Sequence, residues 1–147
     1  MIKYPIGIQS FEKLREDGYV YVDKTDLIYN LVHGGTIYFL SRPRRFGKSL
    51  LISTLENYFL GRRDLFEGLA ISSLEKEWLE YPVFRIDFNG GIFTQHGELE
   101  RKIDGYLSRW EEIYGPSGHG LGAGDRFVEI LHHAHERTGR RCVVLID

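Results

Sequence analysis

A single cysteine among 147 residues leaves no intramolecular disulfide to staple a fold. Nothing at the N-terminus joins a basic start to a long apolar core, so secretion is not suggested, and the two absences together lead us to expect a cytoplasmic protein. No apolar run approaches the roughly 20 residues that a transmembrane helix needs. Charge of one sign is lacking as well: 19 Lys and Arg stand against 21 Asp and Glu, a net charge of -2, so any basic character is local and no global field favours nucleic acid or an anionic membrane. Internal repeats and low-complexity tracts are absent. With 42% hydrophobic residues and 14% aromatics, the chain has the material for one globular domain around a single core.

Along the chain, turn residues alternate with apolar runs. Residues 1–18 read as a short lead-in, with Ser10 capping a helix that Gly18 stops. A strand-like Tyr19-Val20-Tyr21-Val22-Asp23 follows, and Asp23 or Thr25 can cap a helix burying Leu27, Ile28, Leu31 and Val32 before Gly34-Gly35 ends it. The run Thr36 to Leu40 predicts a strand, and Leu51, Leu55, Tyr58 and Phe59 predict a helix with one face on a sheet. Asp64 to Leu69 reads as a connector, and Ser72 with Glu75 as a capping box. Val83 to Phe88 predicts a second sheet strand and Asn89-Gly90-Gly91 a turn. Leu99, Ile103, Tyr106, Leu107, Trp110, Ile113 and Tyr114 form one helical stripe. After a glycine-rich surface loop, Asp125 caps a last helix, and the apolar run from Cys142 to Ile146 predicts a strand buried on both faces. Strands separated by helices argue an α/β sandwich with a mainly parallel sheet.

One stretch carries chemistry. Ser41-Arg42-Pro43-Arg44-Arg45-Phe46-Gly47-Lys48-Ser49-Leu50 lies between the predicted strand and the predicted helix. Gly47-Lys48-Ser49 has the residue types of a phosphate-binding loop: backbone N–H groups at a helix N-terminus face a phosphate, a Lys adds charge, and a hydroxyl holds Mg²⁺. The first glycine of that pattern is missing, and Arg42 stands in its place. Arg42, Arg44 and Arg45 add fixed charges beside Lys48 with no acid between them, a setting for a phosphate chain; a solvated basic turn and contacts to nucleic acid backbone are the alternatives. Asp147, after four apolar residues, is placed as the acid that orders Mg²⁺ through water. Asp87 can approach a nucleotide or begin a turn with Asn89. His132, His133 and His135 lack the partners of a metal site, and Cys142 reads as a small core residue rather than a nucleophile.

Tyr4-Pro5-Ile6-Gly7, Tyr21-Val22-Asp23-Lys24-Thr25, the stretch Phe39 to Leu50 and the strand to Asp87 together resemble the predicted AAA-ATPase-like family of bacterial proteins, over essentially the whole chain. The resemblance implies a three-layer P-loop NTPase sandwich, a variant Walker A loop in which Arg42 fills the glycine place, and ATP and Mg²⁺ as cofactors. Lys48 and Asp147 are the implied catalytic residues, and Ser49 and Asp147 the metal-binding ones. Residues 42–50 are implied to hold the nucleotide, that is Arg42, Pro43, Arg44, Arg45, Phe46, Gly47, Lys48, Ser49 and Leu50. Asp23 joins them, since in related ATPases a segment placed like Tyr21-Val22-Asp23-Lys24 lines the adenine pocket.

Many members carry a C-terminal restriction-endonuclease-like nuclease domain, and a Glu usually follows the strand's Asp as catalytic base; neither is in this sequence. Residues 1–147 therefore read as the N-terminal part of a larger protein, an incomplete P-loop domain stopping after its Walker B strand. Expected of the intact protein is Mg²⁺-dependent ATP hydrolysis driving or gating an appended or partner domain. The rival is a nucleotide-dependent regulatory switch without turnover, and a third reading is a nucleic-acid-binding module built on the arginines.

Overall fold

The computed structural model of the chain describes residues 2–43, 45–89 and 97–147. Arg44 of the glycine-poor loop and the Gly90-Gly91 part of the expected turn lie outside them. Two compact units divide the chain where length alone suggested one: Met1–Glu80 together with Asp147, and Tyr81–Ile146.

The first unit is helical. Helix α1 spans Phe11–Glu16, and the Ser10 side chain caps it by accepting from the Lys13 amide at 3.2 Å. Helix α2 spans Thr25–Gly34, α3 Lys48–Phe59 and α4 Ile71–Leu74, with a 3₁₀ turn at Arg63–Phe66. Gly61 leaves α3 with φ 70°, a left-handed value that glycine adopts without cost. Phe11, Leu14, Leu55, Tyr58, Phe66 and Ile71 are buried. Phe66 stacks at a tilt on Phe11, with 4.7 Å between ring centroids, and on Trp78 at 5.1 Å.

The expected connector at 64–69 thus supplies part of a core, and Arg15 fixes it by donating to the Leu65 and Glu67 carbonyls, both at 2.7 Å. In this unit α3 packs against α1 rather than on a sheet. Its small polar side chains make that contact: buried Ser53 accepts the Phe11 amide at 2.9 Å, one of the donors a helix start leaves without an intrahelical partner.

Two expected strands of this unit are not strands. Tyr19 makes an isolated parallel bridge to Lys3, and residues 37–40 join no ladder. Ile37 and Phe39 are 93% and 94% exposed. Apolar, β-branched and aromatic residues favour extended backbone, but a strand exists only where a second segment accepts its hydrogen bonds, and among the described residues none does so here. The expected capping box at Ser72 and Glu75 is absent too. Helix α4 starts at Ile71 with Ala70 at its cap, so Ser72 lies inside the first turn, where it donates to Leu69 O, and Glu75 lies past the last turn, where it accepts the Tyr58 hydroxyl at 2.5 Å.

The second unit carries the sheet. Strand β1 (Val83–Ile86) pairs in parallel with β2 (Val143–Ile146), Val83 opposite Val143 and Ile86 opposite Ile146. The connection holds α5 (Glu98–Tyr114) and α6 (Ala123–Thr138), which pack on each other, as parallel pairing with a helical crossover requires. Phe84 is buried among Leu107, Trp110, Ile130 and Ala134; Leu107 and Trp110 belong to the stripe that helical spacing predicted, while Leu99 and Ile113 of that stripe are exposed. Helix α6 begins two residues before Asp125, with Gly122 at its cap, so Asp125 sits in the first turn instead of capping it.

Strand β2 is not covered along both faces: Leu145 is buried, while Val144 and Ile146 are exposed. With a single neighbour among the described residues, β2 lacks the flanking layers that bury a central strand. Cys142 is half-buried, its thiol 3.3 Å from the Leu131 carbonyl, and burial pushes its pKa up. The fold is therefore mixed α/β, with a small parallel sheet.

Candidate phosphate-binding loop

The loop joins the unpaired stretch at residues 37–40 to α3. Arg42, Pro43, Arg45, Phe46 and Gly47 are all exposed, and Lys48, Ser49 and Leu50 begin the helix half-buried. Gly47 sits at the helix cap with φ 77°, and a side chain added there would meet nothing within 4 Å, so the demand for glycine is conformational rather than steric. Arg45 is also left-handed, at φ 66°, where a non-glycine residue is strained. A left-handed residue before a helix start turns successive N–H groups toward one point, the geometry of an anion nest.

Lys48 closes the loop on itself. Its Nζ donates to the Arg42 carbonyl at 2.8 Å, carrying the ammonium back to the residue that stands where the pattern has glycine. The described loop residues thus gather one ammonium, two guanidinium-bearing side chains and a helix N-terminus on one short segment, with no acidic residue among them.

Asp147 belongs to the same compact unit as the loop. Its Oδ2 is buried and has no hydrogen-bond partner among the described residues. Leaving a carboxylate oxygen buried and unpaired costs free energy, so such an atom is one that a cation or an ordered water would satisfy.

Asp23 is engaged elsewhere in that unit. Its Oδ1 accepts from the Thr25 amide at 2.9 Å and the Thr25 hydroxyl at 2.7 Å, and its Oδ2 accepts from the Ala70 amide at 2.7 Å. Buried Thr25 in turn accepts from the Ile71 amide at 3.0 Å. Burial pushes the Asp23 carboxyl up, but these hydrogen bonds, Thr25 first, outweigh it and hold the group below its usual value. The sequence pointed to Asp23 or Thr25 as the cap of α2, but Lys24 stands at that cap, with no side-chain cap hydrogen bond; what the sequence missed is that Asp23 and Thr25 satisfy the start of α4.

Other expectations are resolved simply. Asp87 accepts the Asn89 amide at 2.7 Å, so it begins a turn. Among the described residues no group of His, Cys, Asp and Glu is arranged to hold a metal ion by itself. Sequence reasoning missed Tyr38, whose hydroxyl donates to the Leu31 carbonyl at 2.7 Å. The signal for it was the Gly34-Gly35 pair just upstream, where the reading stopped at helix termination.

The family described as predicted AAA-ATPase matches residues 5–147. The chain belongs to that family. An uncharacterized protein in the vnfD 5' region of Azotobacter chroococcum mcd 1 is 45% identical to this AAA-ATPase-like chain over 146 residues. That stretch is 99% of the present chain and 28% of the relative, so the chain spans little more than a quarter of the relative's length. No solved structure matches. Membership of the AAA-ATPase-like family points to nucleotide binding, and no helix among the described residues is long and apolar enough to cross a membrane.

Proposed function

We propose that the chain binds ATP with Mg²⁺ through the variant loop at residues 42–50, in a P-loop NTPase sandwich. In the whole protein, hydrolysis to ADP and phosphate would drive or gate an appended or partner domain. The observation that carries the reading is the loop itself: Gly47 left-handed at the cap of α3, with Lys48 folded across to Arg42. Backbone N–H groups from Arg44 to Ser49 would take the β-phosphate, and the Lys48 ammonium would leave the Arg42 carbonyl for the β- and γ-phosphates. Arg42 and Arg45 add positive charge in solvent, where each contributes less than a buried cation does.

The residues present fit a magnesium ion. Ser49 supplies a hydroxyl in the first turn of α3, and the unpaired Oδ2 of Asp147 supplies an acceptor for a metal-bound water. When bound, Mg²⁺ neutralises phosphate charge that the chain's own cations would otherwise meet alone. Asp23, with both oxygens taken, would act on the adenine side by holding the segment 21–25 in place. Nucleic acid is a poorer occupant, because the cluster is short and the net charge is -2.

Calorimetric titration of ATP into the full-length protein, with and without Mg²⁺, tests this. Lys48→Ala should weaken Mg²⁺-dependent binding by at least about tenfold, as expected for losing a charge-assisted hydrogen bond to phosphate. Binding that ignores either Mg²⁺ or Lys48 sinks the proposal, and phosphate release measured in the same samples separates an ATPase from a switch.

A further inference from the structure

We infer that Tyr38 is a positioning residue for the phosphate loop, clasped to the end of α2 through Gly35; the inference rests on the reading of residues 42–50 given above. The last carbonyls of a helix have no intrahelical donor, and the Tyr38 hydroxyl reaches back to one in the final turn of α2, Leu31 O, at 2.7 Å. The tyrosine can come this close because of the glycines. A Cβ built on Gly35 would lie 2.8 Å from Tyr38 Oη and 3.2 Å from Cζ, and one on Gly34 3.4 Å from the same oxygen. Gly35 has φ -176°, which any residue adopts, so its glycine is needed for space and not for backbone conformation.

The clasp matters because of what else holds the loop. Residues 37–40 have no ladder, and the side chains of Ile37 and Phe39 on either side of Tyr38 are almost fully exposed. Among the described residues, Tyr38 carries the side-chain hydrogen bond that ties this stretch to a helix. Downstream, the loop is tied by Lys48 to the Arg42 carbonyl. That second tie uses the ammonium which nucleotide binding would take away, so it cannot order the loop in the bound state. The clasp on α2 involves no phosphate-binding group and persists through binding. It shortens the untethered chain before α3 and so reduces the ordering entropy that a bound phosphate must overcome.

The test is a double-mutant cycle in the full-length protein, reading ATP affinity by calorimetry in Mg²⁺ and protection of the last turn of α2 by amide hydrogen exchange without nucleotide. Tyr38→Phe keeps the ring and loses the hydrogen bond; it should weaken ATP binding roughly three- to tenfold and speed exchange of the amides at 31–34, in the last turn of α2. Gly35→Ala and Tyr38→Ala should each act similarly, and the double variant should bind no more weakly than Tyr38→Ala alone, because the steric penalty needs the ring. Melting temperatures should stay with wild type, since the ring is half exposed and outside the core. Additive effects of the two substitutions, or unchanged exchange at 31–34 in Tyr38→Phe, overturn the clasp. If wild type and Lys48→Ala bind ATP alike, the nucleotide reading fails, while the exchange measurement still decides whether the clasp exists. If Lys48→Ala loses binding and the Tyr38 and Gly35 variants keep it, the positioning role alone fails.

Discussion

Gly47 and Arg45 meet the same backbone requirement with opposite costs. Gly47 is at home at φ 77°, and Ala there would be strained by about 1 kcal/mol, part of it offset by the lower entropy of the unfolded chain. We expect Gly47→Ala to lower stability by about 0.5–1 kcal/mol in urea unfolding and to weaken ATP binding beyond that, since it disturbs the nest itself. Arg45 already bears the strain at φ 66°. For Arg45→Gly, the relieved strain and the added unfolded-state entropy oppose each other at similar size, so stability should stay within about 0.5 kcal/mol of wild type. A large change in either direction would mean that the Arg45 side chain makes a contribution of its own. The turn at Gly47 and the helix start at Lys48 were legible in the sequence, as a glycine followed by a run of helically spaced apolar residues. The strain at Arg45 was not, since nothing in a residue's identity reports its φ.

The helices α1, α2, α3, α5 and α6 follow from local signals: apolar spacing and a glycine at or just beyond the end. Ser10 is the clearest case, a serine cap bonded to the Lys13 amide. Ser10→Ala should cost about 1 kcal/mol in chemical unfolding, with Phe11 and Leu14 still buried; a change below about 0.3 kcal/mol would show that the Ser53 bond to the Phe11 amide secures the start of α1 by itself. Strands were less legible for a physical reason. A helix satisfies its own backbone, whereas the runs at 19–23 and 36–40 state only a preference that another segment must complete. At 83–86 and 143–146 each run supplies the other's partner, and both become strands. The capping box at Ser72 and Glu75 is absent because α4 starts one residue before Ser72 and ends before Glu75, whose carboxylate accepts the Tyr58 hydroxyl from another helix.

On the scale of the molecule, each compact unit is tied by acid–guanidinium groups near its surface. In the first, Arg62 meets Glu12 at 2.8 Å and Asp64 at 3.0 Å, and in the second Arg126 meets Glu111 at 2.8 Å and Asp104 at 2.5 Å. The hydrogen bonds from Arg126 hold the Glu111 carboxyl down at about 2, against an ordinary 4.5. A carboxyl whose folded value is depressed stabilises the fold above its unfolded value and loses that contribution as pH falls through the folded one. Stability should therefore decline as pH drops from about 4.5 toward 2, with Asp23 and Asp64, also held low, adding to the same limb. Arg126→Met should flatten that limb when urea unfolding is compared at pH 6 and pH 3, and an unchanged slope would remove Glu111 from the account. How the chain divides was not legible, because length and composition count core material without locating it.

Cys142 gives the second unit a reporter of its own. The chain has a single thiol, partly buried against the Leu131 carbonyl, and burial raises its pKa, so a thiolate-seeking reagent meets a slower target in the closed unit than in the open one. Labelling quickens when α6 and the residue before β2 part. Trp78 lies in the first unit and Trp110 in the second, so their combined fluorescence cannot separate the two. The timing of a one-site modification, followed by mass, reads how often Tyr81–Ile146 opens, with no substitution introduced.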